Sequence, residues 1–443
     1  MARISIVGTG YVGLVAAACF ADLGNRVVCV DIDADKIAAL RSGKVPIWEP
    51  GLQELVARNT AAERLFFTTN YRDGLEGSQF IFLCVDTPSQ ADGRPDMRRV
   101  EAAVTSIAAS VTHPVVLVNK STVPVGTGEW VEERLVSGKL AGSQVSVASC
   151  PEFLREGSAV QDFMHPDRIV IGCPLPEVAR RVADLHKPLA APLVFTDLRT
   201  AELIKFASNG YLATRISFVN HIARLCEATG VDVQEVARGM ALDSRIGDGF
   251  LSPGLGFGGS CFPKDLRALR YLGHSYGIDT ALPDAVLSIN RAARAWVPEQ
   301  VQVLLGERVH GAKIGLLGLA FKPGTDDLRE APAMDIAREL QRAGCTVRAY
   351  DPAALDKASA LLPDLVPARN AWDLAEGADV LVICTEWNEF RHLDMKRIAS
   401  IMRRRILLDG RGVCDPAAMR KLGFVFRGIG RGQAWEREAG QRA

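Results

Sequence analysis

The 443-residue chain has no net charge, no CxxC pair and no long apolar run, and each absence closes off a class of function. Its 52 basic and 52 acidic residues cancel, leaving no overall field to hold nucleic acid or anionic lipid. No stretch approaches the ~20 consecutive apolar residues that a membrane-spanning helix requires. Ten cysteines stand apart, without the density of a secreted disulfide scaffold, and Cys29, Cys84 and Cys384 sit inside apolar strand-like runs. They read as reduced thiols of a cytoplasmic protein. The opening MARISIVGTGYVG lacks the basic, apolar and small-residue succession of a secretory leader.

What is there is α/β. A chain of this length exceeds what one hydrophobic core serves, so two or three domains are expected. The first residues read as a strand (Ile4 to Val7), a glycine turn, a helix through Leu23 and a second strand, Arg26 to Val30, ending at Asp31. That alternation of periods is the mark of a βαβ unit. Further apolar runs at 80–85, 115–119 and 145–149 are separated by helix-length segments, which predicts a parallel, doubly wound sheet covered on both faces. A second α/β pattern begins near Lys313 with KIGLLGLAF and continues through TVRAYDP, DVLVICTEW and RILLDG. It echoes the first half most closely where DGLEGSQFIFLCVDTP matches DLAEGADVLVICTEW. Two Rossmann-like domains follow, joined by about a hundred residues of helical character that open on a long helix, TAELIKFASNGYLATRISFVNHIARLCEATG. The polar stretch 431–443 has no apolar periodicity and reads as a flexible tail.

Gly8, Gly10 and Gly13 form G-x-G-x-x-G after a strand and at the head of a helix, where backbone amides and the helix dipole can hold a pyrophosphate. A tight strand-to-helix turn would by itself also favour glycine. Asp31 at the end of the second strand adds a carboxylate that can bond ribose hydroxyls and repel a 2′-phosphate, which points to NAD rather than NADP, with FAD a lesser alternative.

GFGGSCFPKD sets Cys261 after Gly258 and Gly259, where small residues allow close backbone approach, with Lys264 and Asp265 within the next turn. A cation there would favour the thiolate. A lone cysteine is more often a small buried apolar residue, and no cysteine or histidine pair nearby has zinc spacing. On the long helix, Lys205 and Asn209 are four residues apart and share a face. They suit a pair of oxyanion donors, or a solvated lysine beside a chance asparagine. Glu152, after Pro151 in CPEFLREG, stands at the carboxyl end of a strand, where open α/β sheets bind ligands; a helix-start carboxylate is the alternative.

Taken in order, GTGYVG, WEPGL, VDTP, KSTVPVGT, PEFLREGSA, DRIVIG, AELIKFASNGYLATRISFVN, SRIG, GFGGSCFPKDL and GLAFKPGTDDLREAP resemble the UDP-glucose/GDP-mannose dehydrogenase family, most closely its bacterial UDP-glucose 6-dehydrogenases. The resemblance runs to about Arg411. It implies an NAD-binding Rossmann-like domain over 1–198, a helical dimerisation domain over 199–300 and a sugar-nucleotide domain over 310–430. It implies Cys261 as nucleophile, Lys205 and Asn209 as oxyanion donors, Asp265 as partner of a water in proton transfer, and Glu152 with Thr122 handling the hydrolytic water. Tyr11, Val12, Asp31, Lys36, Thr87, Thr122, Glu156, Lys264 and Arg329 would join the three glycines in contacting the cofactor. Phe153, Leu154, Phe257, Gly258, Lys322 and Arg411 would contact the substrate, with Arg245 reaching across a homodimer. One position departs from the pattern: Cys150 stands before PEFL, where many members have Asn, and this puts the hydrogen bonding of the Glu152 loop in question.

Such residues would serve oxidation of a sugar's primary alcohol to an acid, in which two NAD molecules visit one site while a thiohemiacetal retains the aldehyde. The same chemistry on GDP-mannose or an N-acetylated UDP-sugar stays open, as does a two-electron hydroxy-acid dehydrogenase, which would need no thiol. A non-catalytic nucleotide-sugar sensor would leave Cys261, Lys205 and Asn209 without purpose together. No metal, nucleic-acid or membrane partner is expected.

Overall fold

The computed structural model describes residues 1–137 and 145–432. These divide into two compact units, one formed by Met1–Ser208 with Arg267–Tyr276, the other by Asn209–Leu266 with the chain from Gly277 onward. Each is built on its own sheet.

The first unit's sheet contains β1 (Arg3–Val7), β2 (Arg26–Val30), β3 (Leu65–Thr68), β4 (Phe80–Leu83), β5 (Val115–Asn119), β6 (Val145–Ser149), β7 (Ile169–Gly172) and β8 (Leu193–Thr196). Its order is β3-β2-β1-β4-β5-β6-β7-β8. The second unit's sheet contains β9 (Lys313–Leu317), β10 (Thr346–Tyr350), β11 (Val366–Pro367), β12 (Val380–Ile383), β13 (Ile406–Asp409) and β14 (Val425–Gly428). Its order, β11-β10-β9-β12-β13-β14, repeats the 3-2-1-4-5-6 arrangement of a doubly wound fold. Strands such as FIFL of β4 and VLVI of β12 are buried at every position, as a sheet covered on both faces requires. On one face of the first sheet, Phe20 packs edge-on against Phe163 and tilted against Phe82, each with centroids 5.0 Å apart.

The internal echo is structural as well as sequential. Asn70 caps the short helix Tyr71–Leu75 and Asn370 caps Ala371–Ala375, each side chain accepting from the amides two and three residues on. Gly77 and Gly377 then turn the chain with φ of 63° and 66°, a conformation open to glycine at little cost, before β4 and β12 begin.

The expected all-parallel first sheet needs one correction, since β7 pairs antiparallel to β6 through Ser149 and Gly172. The segment between them carries only the six-residue helix Ala159–Met164, ~9 Å long at 1.5 Å per residue. A five-residue strand is ~16 Å long, so the helix cannot return the chain to the starting edge, and β7 runs back the other way.

The long helix, Leu198–Thr229, begins in the first unit and continues in the second. Gly230, with φ 79°, ends it. At the far end of the chain Arg431 is fixed by an ion pair of 2.5 Å to Asp232; residues 433–443 of the expected tail lie outside the described residues. Among the described residues no helix is long and apolar enough to cross a membrane.

Candidate active site

The three glycines of the first turn have separate tasks. A Cβ on Gly8 would lie 2.8 Å from the carbonyl oxygen of Cys84, and one on Gly13 would lie 1.9 Å from that of Gly8. These two positions are closed by the protein's own backbone. Gly10 has nothing within 4 Å of its would-be Cβ, and the first turn of the helix it introduces (Tyr11–Asp22) holds no acidic residue. The open side of the turn is therefore at Gly10, Tyr11 and Val12, where helix-end amides favour an anion. Asp31 accepts from the Thr9 amide and hydroxyl, both at 2.7 Å, and from Lys36 at 3.1 Å. Burial pushes its carboxyl up, but these donors outweigh it and hold Asp31 ionised below the ordinary carboxylate range. A turn whose open amides suit a pyrophosphate, with a carboxylate held below its ordinary range at the next strand end, fits NAD.

The Tyr11 hydroxyl donates to Glu49, a buried carboxylate that also accepts from Gly157 at 2.6 Å and Ala159 at 2.7 Å. Glu49 thereby ties the dinucleotide turn to the loop bearing Glu156. Thr87, at the exit of β4, donates to the Thr122 carbonyl at 2.6 Å.

At the end of β6, Glu152 and Lys205 form an ion pair of 2.9 Å, their side chains 5% and 4% exposed. The second oxygen of Glu152 accepts from the Leu154 amide at 2.6 Å. Burial pushes the Glu152 carboxyl up; the charge and hydrogen bond of Lys205, the Leu154 amide and the charge of Lys120 bring it below its ordinary value. Lys120 is itself buried and donates to the Cys150 carbonyl at 3.4 Å. The position that departs from the family pattern is thus bonded through its backbone, and burial pushes the Cys150 thiol up. Arg168 stacks over the Phe153 ring at 3.7 Å.

In the second unit, Cys261 is half-buried and immediately precedes the helix Phe262–Ser275. Its carbonyl accepts from the Asp265 amide at 2.8 Å, so the thiol stands at the positive end of that helix. Asp265, whose side chain is 1% exposed, accepts from Asn209 at 2.6 Å and from Lys264 at 2.6 Å. The glycines before Cys261 make room for the chain itself. A Cβ on Gly258 would meet the Glu330 carbonyl at 2.3 Å and one on Gly259, where φ is 82°, would meet the Phe321 ring at 2.9 Å. The Gly259 amide also donates to the Arg329 carbonyl at 2.8 Å. Phe257 is pinned by Asn290, which accepts from its amide at 2.7 Å and donates to its carbonyl at 3.0 Å.

Of the remaining expected contacts, Lys322 and Arg411 lie by Phe321, whose carbonyl accepts from Arg411 at 3.3 Å. The Arg329 side chain pairs with Asp327 at 2.6 Å, Lys322 lies 5.5 Å from the centre of the Phe321 ring, and Arg411 donates to the Cys384 carbonyl at 2.8 Å. Arg245 is exposed and paired with Asp243 at 2.6 Å. Glu49, Lys120, Arg168 and Asn290 went unnoticed in the sequence. Glu49 and Lys120 lie within WEPGL and KSTVPVGT, but only burial and partners reveal their tasks. Among the described residues no group of three or more His, Cys, Asp or Glu could hold a metal ion.

Comparison with known proteins agrees with these features. Residues 2–190 match the NAD binding domain of the UDP-glucose/GDP-mannose dehydrogenase family, 199–292 its central domain and 315–416 its UDP binding domain. The chain is 46% identical over 435 residues to a UDP-glucose 6-dehydrogenase of Rhizobium meliloti, covering 97% of this chain and 99% of that one. It is 43% identical to UDP-glucose 6-dehydrogenase TuaD of Bacillus subtilis, with coverage of 97% and 94%. Among solved structures, a UDP-glucose dehydrogenase from Pyrobaculum islandicum is similar with a TM-score of 0.87 and 40% identity, over 93% of this chain and 95% of that one.

Proposed function

Because the chain belongs to the UDP-glucose/GDP-mannose dehydrogenase family, and is thus an NAD-dependent oxidoreductase, we propose that it oxidises UDP-glucose to UDP-glucuronate through a thioester on Cys261. The observation that carries this reading is the placing of Cys261 at a helix head, with buried Asp265 one turn on and bonded to both Asn209 and Lys264. UDP-glucose, rather than GDP-mannose or an N-acetylated UDP-sugar, is supported by the names of the relatives similar over nearly the whole chain.

Bound NAD supplies the hydride acceptor for both oxidations. In the first, Asp265 receives the proton of the sugar's primary hydroxyl through a water as the carbon loses hydride, leaving an aldehyde. The Cys261 sulfur then bonds to the aldehyde carbon, and the Lys205 ammonium and the Asn209 amide, one helical turn apart, hold the oxyanion. Loss of the second hydride converts this thiohemiacetal to a thioester. Glu152, kept ionised by Lys205, takes a proton from the water that attacks the thioester carbon, with Thr122 orienting that water. The carbon–sulfur bond breaks, and Cys261 is regenerated with release of the carboxylate. Gly8, Gly10 and Gly13 with Tyr11 and Val12 receive the pyrophosphate, and Asp31 beside Lys36 receives the adenosine ribose. Thr87, Glu156, Lys264 and Arg329 complete the cofactor contacts. Phe153, Leu154, Phe257, Gly258, Lys322 and Arg411 contact the sugar nucleotide.

The division into domains 1–198, 199–300 and 310–430 is supported by the three matched family domains. A homodimer in which Arg245 serves its partner's site is supported by Tyr211, Phe218 and Leu225, exposed at seven-residue spacing on the long helix. A monomer in sedimentation analysis would remove that part of the reading. Ten free thiols support a cytoplasmic setting. The decisive test is stoichiometry: UDP-glucose with excess NAD should yield two NADH and one UDP-glucuronate per sugar. One NADH with released aldehyde would overturn the thioester route.

A further inference from the structure

Three residues before Lys205 on the long helix, Glu202 is 4% exposed and takes no part in the chemistry above. One of its oxygens accepts from the Gly126 amide at 2.7 Å; the other accepts from the Gly128 amide at 2.8 Å and the Ser149 hydroxyl at 3.3 Å. The two amides belong to the segment that runs from Lys120 through Thr122 into the helix Thr127–Ser137. Ser149 is the last residue of β6, three before Glu152. A single carboxylate therefore joins three segments, and each carries a residue of the proposed chemistry: Thr122, Glu152 and Lys205.

The joint is closely fitted. Gly126 has φ 95°, in the left-handed region that disfavours other residues. A Cβ on Gly128 would come within 3.0 Å of Leu198, the first residue of the long helix. Burial pushes the Glu202 carboxyl up to about 7, which reflects how little water remains around it.

We propose that Glu202 is a positioning residue that sets the Thr122 segment against the Lys205–Glu152 pair, and so governs cofactor binding without touching cofactor or substrate. The proposal rests on the reading that Thr122 contacts NAD. Without Glu202 the Gly126 and Gly128 amides lose their buried acceptor, and the segment shifts away from the bound cofactor. A glutamine keeps one acceptor oxygen for one of the two amides but sets its own NH₂ against the other, so it restores part of the clamp.

The test compares wild type, Glu202→Gln and Glu202→Ala by fluorescence titration with NADH and by calorimetric titration with UDP-glucose, with no turnover involved. Misplacement of a binding segment by about an ångström is expected to weaken NADH binding about tenfold in the alanine variant. The glutamine variant should fall between it and wild type, and UDP-glucose affinity should stay within about twofold in both. Hydrogen exchange over residues 120–130 should quicken in the same order. If the alanine variant fails to fold, the glutamine variant still carries the test through its intermediate affinity and exchange. NADH affinity equal to wild type in the glutamine variant, or UDP-glucose affinity falling in step with NADH affinity, would overturn the proposal. Failure of wild type to oxidise UDP-glucose would instead overturn the functional reading, leaving these binding comparisons to judge Glu202 alone.

Discussion

Replacing Lys205 by methionine preserves most of its aliphatic stem and removes its charge, leaving Glu152 buried without the ammonium now 2.9 Å away. Breaking a buried pair by deleting one partner costs about 3–5 kcal/mol. Lys120 also lowers the Glu152 pKa by its charge and remains in place, so the lower end, about 3 kcal/mol, applies. In a unit of this size each kcal/mol is worth roughly 2–4 °C, giving a fall of about 6–12 °C in the first thermal transition near pH 7.5. The pH dependence carries the sharper signature. In wild type the folded pKa of Glu152 lies below its unfolded value, so its stabilisation is present above the unfolded pKa and fades as pH falls through the folded one. In Lys205→Met, burial is opposed by weaker partners and the folded pKa rises above the unfolded value. Ionised Glu152 then destabilises at neutral pH, and stability returns as acidification protonates it. Scanning calorimetry of the full chain should therefore show the gap from wild type narrowing between about pH 7.5 and pH 5. Adding Glu152→Gln should recover most of the loss at neutral pH. A fall below about 2 °C, or a gap that is constant with pH, would refute the reasoning.

Cys261→Ser replaces the soft nucleophile with a hydroxyl that stays protonated at working pH. Steady-state formation of UDP-glucuronate should nearly vanish, with a sugar-nucleotide ester on position 261 or trapped aldehyde visible by mass spectrometry; near wild-type turnover would remove Cys261 from its role. Asp31→Ser should lower the NAD-over-NADP preference in kcat/KM by at least about tenfold, because repulsion of the 2′-phosphate is lost while Lys36, now 3.1 Å from Asp31, stays to attract it. An unchanged ratio would place cofactor selection elsewhere.

The elements that the sequence made legible were those with a strong local signal. The βαβ start was read to within a residue, because glycine turn, helical spacing and apolar strands all agree over Arg3–Val30. The internal echo was equally plain, since a helix end, a Glu-Gly turn and an apolar strand with a cysteine recur in the same order, whereas the matching asparagine caps emerged only from the structure. The reversal at β7 left no such trace, as it depends on the length of one short helix. The purpose of Gly258 and Gly259 was also hidden: their neighbours, Glu330 and Phe321, are some 60 to 70 residues away in sequence, and close approach to a distant backbone leaves the same glycines as close approach to a ligand. Glu49 and Lys120 escaped because a carboxylate in a loop before a helix, or a lysine at a strand end, is ordinary until its burial and partners are known.

The two sheets end their second strands on the same residue type put to opposite uses. Asp31 is anchored by Thr9 and Lys36 at the mouth of a turn whose middle glycine is open. Asp351, after β10, is 3% exposed and accepts from the amides of Leu319, Ala320, Ala353 and Ala354 and from the Trp387 indole. Five donors leave it no capacity for a ribose. An engineer who copied GTGYVG onto GLAFKP would thus acquire a phosphate turn with no sugar acceptor behind it. The same architecture thus carries a carboxylate at this point in both halves, and in the second it is spent on the half's own loop closure, so freeing it for a ligand would require dismantling that closure.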